Sequence, residues 1–119
     1  TGLGGKGEKL RFYVLILANE LKPFLEYQKK VIEREFPYSL EKAGCEIERL
    51  TIGEKYMELV FLIPVRADIK QALDKVINEC NQYGNFLSQV FTITNVKELS
   101  AEEVEEIIKK NGGNSQASH

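Results

Sequence analysis

The chain has 119 residues, 43% hydrophobic and 29% charged, the make-up of one soluble globular domain large enough for a core without staples. Its net charge of −2 and isoelectric point near 5.5 argue against nucleic acid as a partner, because a duplex binder usually carries a basic surplus that displaces counterions from phosphates. No apolar run approaches the roughly 18–20 residues of a membrane span. The lone histidine is the terminal His119, which leaves imidazole acid–base chemistry and histidine metal ligation without a residue to carry them.

Residues 1–8, TGLGGKGE, form a glycine-rich stretch. A phosphate loop would follow a strand and open a helix, whereas these glycines precede the first apolar run, so a flexible N-terminal arm is expected. The run Leu10–Ala18 is the longest apolar segment and is rich in β-branched and aromatic residues. Alternation sets Leu10, Phe12, Val14 and Ile16 on one face and Tyr13, Leu15 and Leu17 on the other. A strand greasy on both faces belongs in the middle of a covered sheet.

A first helix follows, capped by Asn19 or Lys22, with Pro23 in its first turn. Phe24, Leu25, Val31, Ile32 and Phe36 recur at helical spacing. Pro37 is expected to end or kink it at Phe36, with a second short piece from Ser39 to Gly44, the glycine taking the left-handed position after the helix. In Cys45–Ile52 the apolar parity changes between Ile47 and Leu50, so a β-bulge at Glu48–Arg49 is expected to restore one inward face. Gly53-Glu54 reads as a two-residue turn. The return strand Lys55–Ile63 puts Met57, Leu59, Phe61 and Ile63 on one face and Tyr56, Glu58, Val60 and Leu62 on the other, and Pro64 ends it.

Asp68 with Gln71 reads as a helix cap. Ile69, Ala72, Leu73, Val76, Ile77, Cys80 and Tyr83 then form an amphipathic stripe stopped by Gly84. The amides Asn78, Asn81, Gln82 and Asn85 are expected to satisfy the backbone of that turn. Phe86–Thr94 is the last strand. Ser100 and Glu103 form a capping box, with Leu99 and Val104 as the hydrophobic staple, at the start of a C-terminal helix over residues 101–110. A polar tail, 112–119, is expected to be disordered. Cys45 and Cys80 read as buried thiols of a reducing, cytoplasmic setting.

The order β-α-β-β-α-β-α resembles the ferredoxin-like split βαβ fold, an α+β domain with a four-stranded antiparallel sheet and both main helices on one face. It is expected over residues 9–111 as a single domain. Families on this fold with strict motifs do not match. RNA-recognition motifs need a glycine-containing aromatic–basic third strand, where this chain has Lys55-Tyr56-Met57-Glu58. Heavy-metal-associated domains need C-x-x-C after the first strand, and acylphosphatases an arginine in a glycine-rich loop there. The dimeric α+β barrels and ACT-like regulatory domains have no strict motif and stay open.

No nucleophile–base pair, metal cluster or phosphate loop stands out, so no catalytic residue, metal or cofactor is assigned. What stands out is the second sheet face. Tyr13, Leu15, Leu17, Val60 and Leu62 cannot share the helices that cover Val14, Ile16, Phe61 and Ile63, and Val104, Ile107 and Ile108 offer only a narrow cover. A ten-residue helix is about 15 Å long, too short to shield the whole face. These eight residues are therefore expected to form an interface, in the first instance with a second copy of the chain. The resulting functional reading is a non-enzymatic assembly or regulatory module, a homodimer or docked on another protein. The alternatives are a small-ligand sensor and a cofactor-light enzyme with its pocket at a sheet or subunit edge.

Overall fold

A computed structural model describes residues 8–95 and 97–117. Its elements are β1 (Lys9–Ala18), a 3₁₀ turn (Asn19–Leu21), α1 (Glu26–Lys42), β2 (Glu46–Ile52), β3 (Tyr56–Pro64), α2 (Ile69–Asn81), β4 (Leu87–Thr94) and α3 (Ala101–Ala117). The strands form one sheet in the order β2-β3-β1-β4, every neighbouring pair antiparallel. This is the α+β, ferredoxin-like split βαβ arrangement, with β1 and β3 in the middle. The arm residues 1–7 and the last two residues of the tail lie outside the described residues.

Each face of β1 has its own core. Val14, Ile16, Met57, Leu59, Phe61 and Ile63 pack with Val31, Ile32, Phe36 and Leu40 of α1 and Leu73, Val76, Ile77 and Cys80 of α2. Tyr13, Leu15, Leu17 and Val60 pack on the opposite side with Val104, joined by Leu21, Tyr56, Leu99, Ile107 and Ile108. The alternation thus partitions as its period of two requires. Leu10 is the exception, 46% exposed beyond the Tyr13–Thr94 pair at which β4 leaves β1.

The bulge falls where the change of parity demands it. Ile47 pairs with Phe61 and Arg49 with Val60, so Glu48 is the extra residue. Ile47, Leu50 and Ile52 thereby all reach the first core. The hairpin turn is shifted by one residue from the expected Gly53-Glu54. The Gly53 N–H donates to the Tyr56 carbonyl at 2.7 Å, which leaves Glu54 and Lys55 as the central pair. Both are held from outside: the Phe24 N–H donates to the Glu54 carbonyl (2.9 Å) and the Ala18 N–H to the Lys55 carbonyl (2.8 Å).

α1 departs from expectation at both ends of its apolar run. Lys22 is extended (ψ 135°), the conformation a following proline favours, so Pro23 precedes the helix instead of entering it. Leu25 is the cap, and its N–H donates to Gln28 Oε1 at 2.8 Å. Pro37 lies inside one continuous helix, correcting the break expected at Phe36. A proline there costs about 3 kcal/mol. Phe36 and Leu40, both fully buried on the same stripe, each contribute about 1.5–3 kcal/mol of burial, so keeping them in phase outweighs the missing hydrogen bond. The helix ends in a Schellman motif, with Cys45 N–H on the Leu40 carbonyl (2.9 Å), Gly44 N–H on the Glu41 carbonyl (3.0 Å) and Gly44 at φ +87°.

At the start of α2, Asp68 Oδ1 accepts from the Lys70 (3.1 Å) and Gln71 (3.2 Å) N–H groups. Its stripe is buried through Cys80, but Tyr83 is 49% exposed, because the helix stops at Asn81 and Gly84 (φ +135°) turns the chain away. Asn81 satisfies both backbone groups of Leu87, at 2.9 and 3.0 Å. Cys45 and Cys80 are free and buried. Burial raises both thiols, Cys80 to about 12, which keeps them unreactive at neutral pH. α3 begins at the expected capping box, with Ser100 N–H on Glu103 Oε1 (2.8 Å) and Glu103 N–H on Ser100 Oγ (3.1 Å). It runs to Ala117, beyond the Gly112-Gly113 stop that ended the expected 101–110 helix.

Candidate functional site

The second sheet face holds a polar cluster at the end of its apolar patch. Register builds it. Arg11 lies opposite Leu62 and Tyr13 opposite Val60, while Val60 is flanked on its other side by Arg49. The bulge is what puts Arg49 there. In a strand without the bulge, the pairing after Ile47 would set Glu48 opposite Val60 and turn Arg49 toward the first core.

Glu98, in the segment before α3, binds both arginines. Arg49 donates from Nη2 to Oε1 at 2.5 Å and from Nη1 to Oε2 at 3.4 Å. Arg11 donates from Nη2 to Oε2 at 3.2 Å, and its Nε donates to Glu48 Oε1 at 2.8 Å. The hydrogen bonds from Arg49, then those from Arg11, hold the Glu98 carboxyl below the ordinary carboxylate range. Two guanidinium forks thus converge on one anion while half of each arginine side chain, 51% and 48%, stays exposed. Lys9 and Glu46 form a further pair at 2.8 Å on the same edge.

Beside this pair, Tyr13 donates its hydroxyl to Glu58 Oε2 at 2.5 Å. Tyr13 is 2% exposed, and desolvation, followed by the bond to Glu58, raises its phenol far above its ordinary value of 10.0. The folded protein therefore holds the proton where the unfolded chain has released it, and stability falls as pH climbs from the ordinary tyrosine value toward the raised one. Tyr13→Phe is expected to lower stability at pH 7 by about 1.5–3 kcal/mol, the range for a hydrogen bond to a charged group, and to flatten that alkaline slope. Urea melts from pH 8 to 11 check it; an unchanged slope would remove Tyr13 from the alkaline transition.

All eight residues expected at an interface are brought to this face, but Val104, Ile107 and Ile108 of the same chain's α3 pack over Tyr13, Leu15, Leu17 and Val60. Tyr13, Leu15 and Val60 are at most 2% exposed, Leu17 is 9% and Val104 is 5%, and Leu62, Ile107 and Ile108 are half-buried. Leu21, Tyr56 and Leu99 join the cover. Arg11, Arg49 and Glu98 were not legible as a site. The one local signal was the bulge that fixes the direction of Arg49, whereas Glu98 meets Arg11 across 87 positions. Among the described residues no cluster of His, Cys, Asp and Glu could hold a metal ion, and no helix is long and apolar enough to cross a membrane.

No protein-family description and no curated protein sequence matches the chain. Solved structures do. A candidate transposase from Deinococcus radiodurans R1 superposes with a TM-score of 0.70 over 87% of this chain and 91% of that one, at 13% identity. A REP-associated tyrosine transposase bound to a REP hairpin superposes with a TM-score of 0.62 at 10% identity. That match covers 81% of this chain and 60% of the longer one. The likeness is one of fold. Both of these structures are transposases, which stands against the reading as a non-enzymatic assembly or regulatory module and against its ligand-sensor and barrel-enzyme alternatives. The argument against a nucleic-acid partner falls too, because one neighbour holds a hairpin. The physical reason is that net charge averages over the whole chain, whereas phosphate binding depends on where a few cations stand.

Proposed function

We propose that the protein binds and acts on a structured nucleic acid, with Arg11 and Arg49 as the seat for a backbone phosphate. The observation that carries this reading is the convergence of both guanidinium groups on Glu98. Guanidinium forks match carboxylate and phosphate oxygens alike, so Glu98 stands where a phosphate would bind and is the anion that nucleic acid displaces. The shared fold with a hairpin-bound transposase supports the choice of ligand. A cytoplasmic setting with both thiols reduced goes with it.

Strand-transfer chemistry has one pair of groups to draw on here. Tyr13 lies across Val60 from Arg49, and its hydroxyl is within hydrogen-bond reach of the Glu58 carboxylate, the arrangement of a nucleophile and its base. The phenol would attack phosphorus while Glu58 takes its proton and returns it to the departing sugar oxygen, with the arginines neutralising the charge on phosphate. With α3 docked, Tyr13 is buried, so this step requires α3 to lift off the sheet when nucleic acid displaces Glu98.

Fluorescence anisotropy with labelled DNA and RNA hairpins tests the reading. Binding is expected to weaken with salt at a log–log slope of about −0.9, the value for the one phosphate seated. Denaturing gels of the same mixtures would show a covalent adduct that Tyr13→Phe abolishes. Salt-independent binding, or none, would overturn the phosphate seat; binding without an adduct would overturn the part given to Tyr13.

A further inference from the structure

The tyrosines among the strongly exposed side chains, Tyr27, Tyr38 and Tyr83 at 48%, 62% and 49%, gather on one flank, away from the arginine seat. Tyr27, Arg34 and Tyr38 stand at i, i+7 and i+11 on α1 and so share one stripe. Tyr83 joins them from the turn after α2: the Tyr27 hydroxyl donates to the Tyr83 carbonyl at 3.1 Å, and the Arg34 guanidinium lies 5.1 Å from the Tyr83 ring centre. Arg34 also pairs with Glu35 at 3.0 Å. At the far end Lys42 lies 4.8 Å from the Tyr38 ring centre.

The stripe leads into a cleft. Gly84, which a Cβ would bring to 3.0 Å from the Tyr27 hydroxyl, lines an open depression of about 480 Å³ together with Asn19, Gln28, Asn85 and the Glu20–Lys22 ion pair (3.2 Å). Gln28 gives its carbonyl to Leu25, which leaves its amide nitrogen as a donor. The wall is held by strained backbone: Glu20 and Leu21 both have positive φ, 58° and 55°. Consecutive non-glycine residues in that region cost of order 1–3 kcal/mol each and persist where the surroundings enforce them. The enforcing bonds are Asn19 N–H to the Phe86 carbonyl (2.8 Å) and Asn19 Nδ2 to the Asn85 carbonyl (3.0 Å).

We infer that this flank is a binding track for single-stranded nucleic acid, with bases stacked on Tyr38 and Tyr83 and one base seated in the amide-lined cleft. Rings interleaved with cations suit a strand, since the cations follow the backbone while the aromatic rings accept any base. Amides at the end of the track suit the polar edge of a base. The inference rests on the nucleic-acid reading but uses none of the residues of the arginine seat.

The chain has no tryptophan and five tyrosines, so its intrinsic fluorescence reports the tyrosines directly. Titration with unstructured ten-nucleotide DNA and RNA oligomers is expected to quench it. A backbone-only abasic oligomer of the same charge is expected to bind at least tenfold more weakly. Tyr38→Ala and Tyr83→Ala should each weaken oligomer binding at least fivefold, the low end for one lost base stack, while hairpin binding through Arg11 and Arg49 is retained. Tyr38 makes no core contact, so its variant tests the track without a folding defect, and a melt verifies this. Equal affinity for the abasic oligomer, or unchanged affinity in both tyrosine variants, would overturn the track and leave the hairpin reading standing. Failure of every nucleic acid to bind would overturn both.

Discussion

Leu15→Lys is expected to unfold the domain. Leu15 is 1% exposed, sits between Glu58 of β3 and Thr92 of β4, and packs in the cluster that Val104 of α3 closes. Truncation to alanine at such a site costs about 2–5 kcal/mol through lost transfer energy and the cavity left behind. An ammonium group adds a desolvation penalty of several kcal/mol, against a total stability of about 5–15 kcal/mol for a domain. Urea titration by circular dichroism should show Leu15→Ala folded with a lowered midpoint and Leu15→Lys largely unfolded in buffer. Light scattering on the wild type should give the mass of one chain. The sequence pattern alone led to another result, a folded Leu15→Lys variant released from an assembly, and that outcome would mean that α3 leaves the face in solution.

Removing the two arginines should have the largest effect on hairpin binding. Hydrogen bonds to charged groups contribute about 1.5–3 kcal/mol each, and about 1.4 kcal/mol is a factor of ten. Arg49→Gln, which loses a two-pronged contact, is therefore expected to weaken binding at least tenfold. Arg11→Gln with Arg49→Gln should abolish the salt-dependent part. Glu98→Gln acts in the opposite direction: it removes the anion that competes for the seat and should tighten binding several-fold. Lys75→Gln, an exposed lysine of α2, is the control for bulk charge and should change affinity less than twofold. If the Lys75 variant loses as much as the Arg49 variant, the binding is diffuse electrostatics and the seat is not at Arg49. A Glu98→Gln variant that binds more weakly would make Glu98 a support of the site and not its competitor.

What could be read from the residues alone was local. The alternation on β1 and β3, the bulge at Glu48, the Asp68 cap, the Ser100–Glu103 box and the Gly44 stop are each decided within a few positions, by side-chain period or by one short hydrogen bond. Their order then determined the fold. Tertiary packing decided the rest. Pro37 stays inside α1 because Phe36 and Leu40 must share one stripe, and Tyr83 leaves the apolar stripe because α2 stops before it and the chain turns at Gly84. The second face reads as an interface in the sequence, where nothing says that α3 folds back over β1 of its own chain. The arginine seat was the least legible part. Arg11, Arg49 and Glu98 are separated by up to 87 positions, and only the sheet register, with α3 docked, brings their charges to one point.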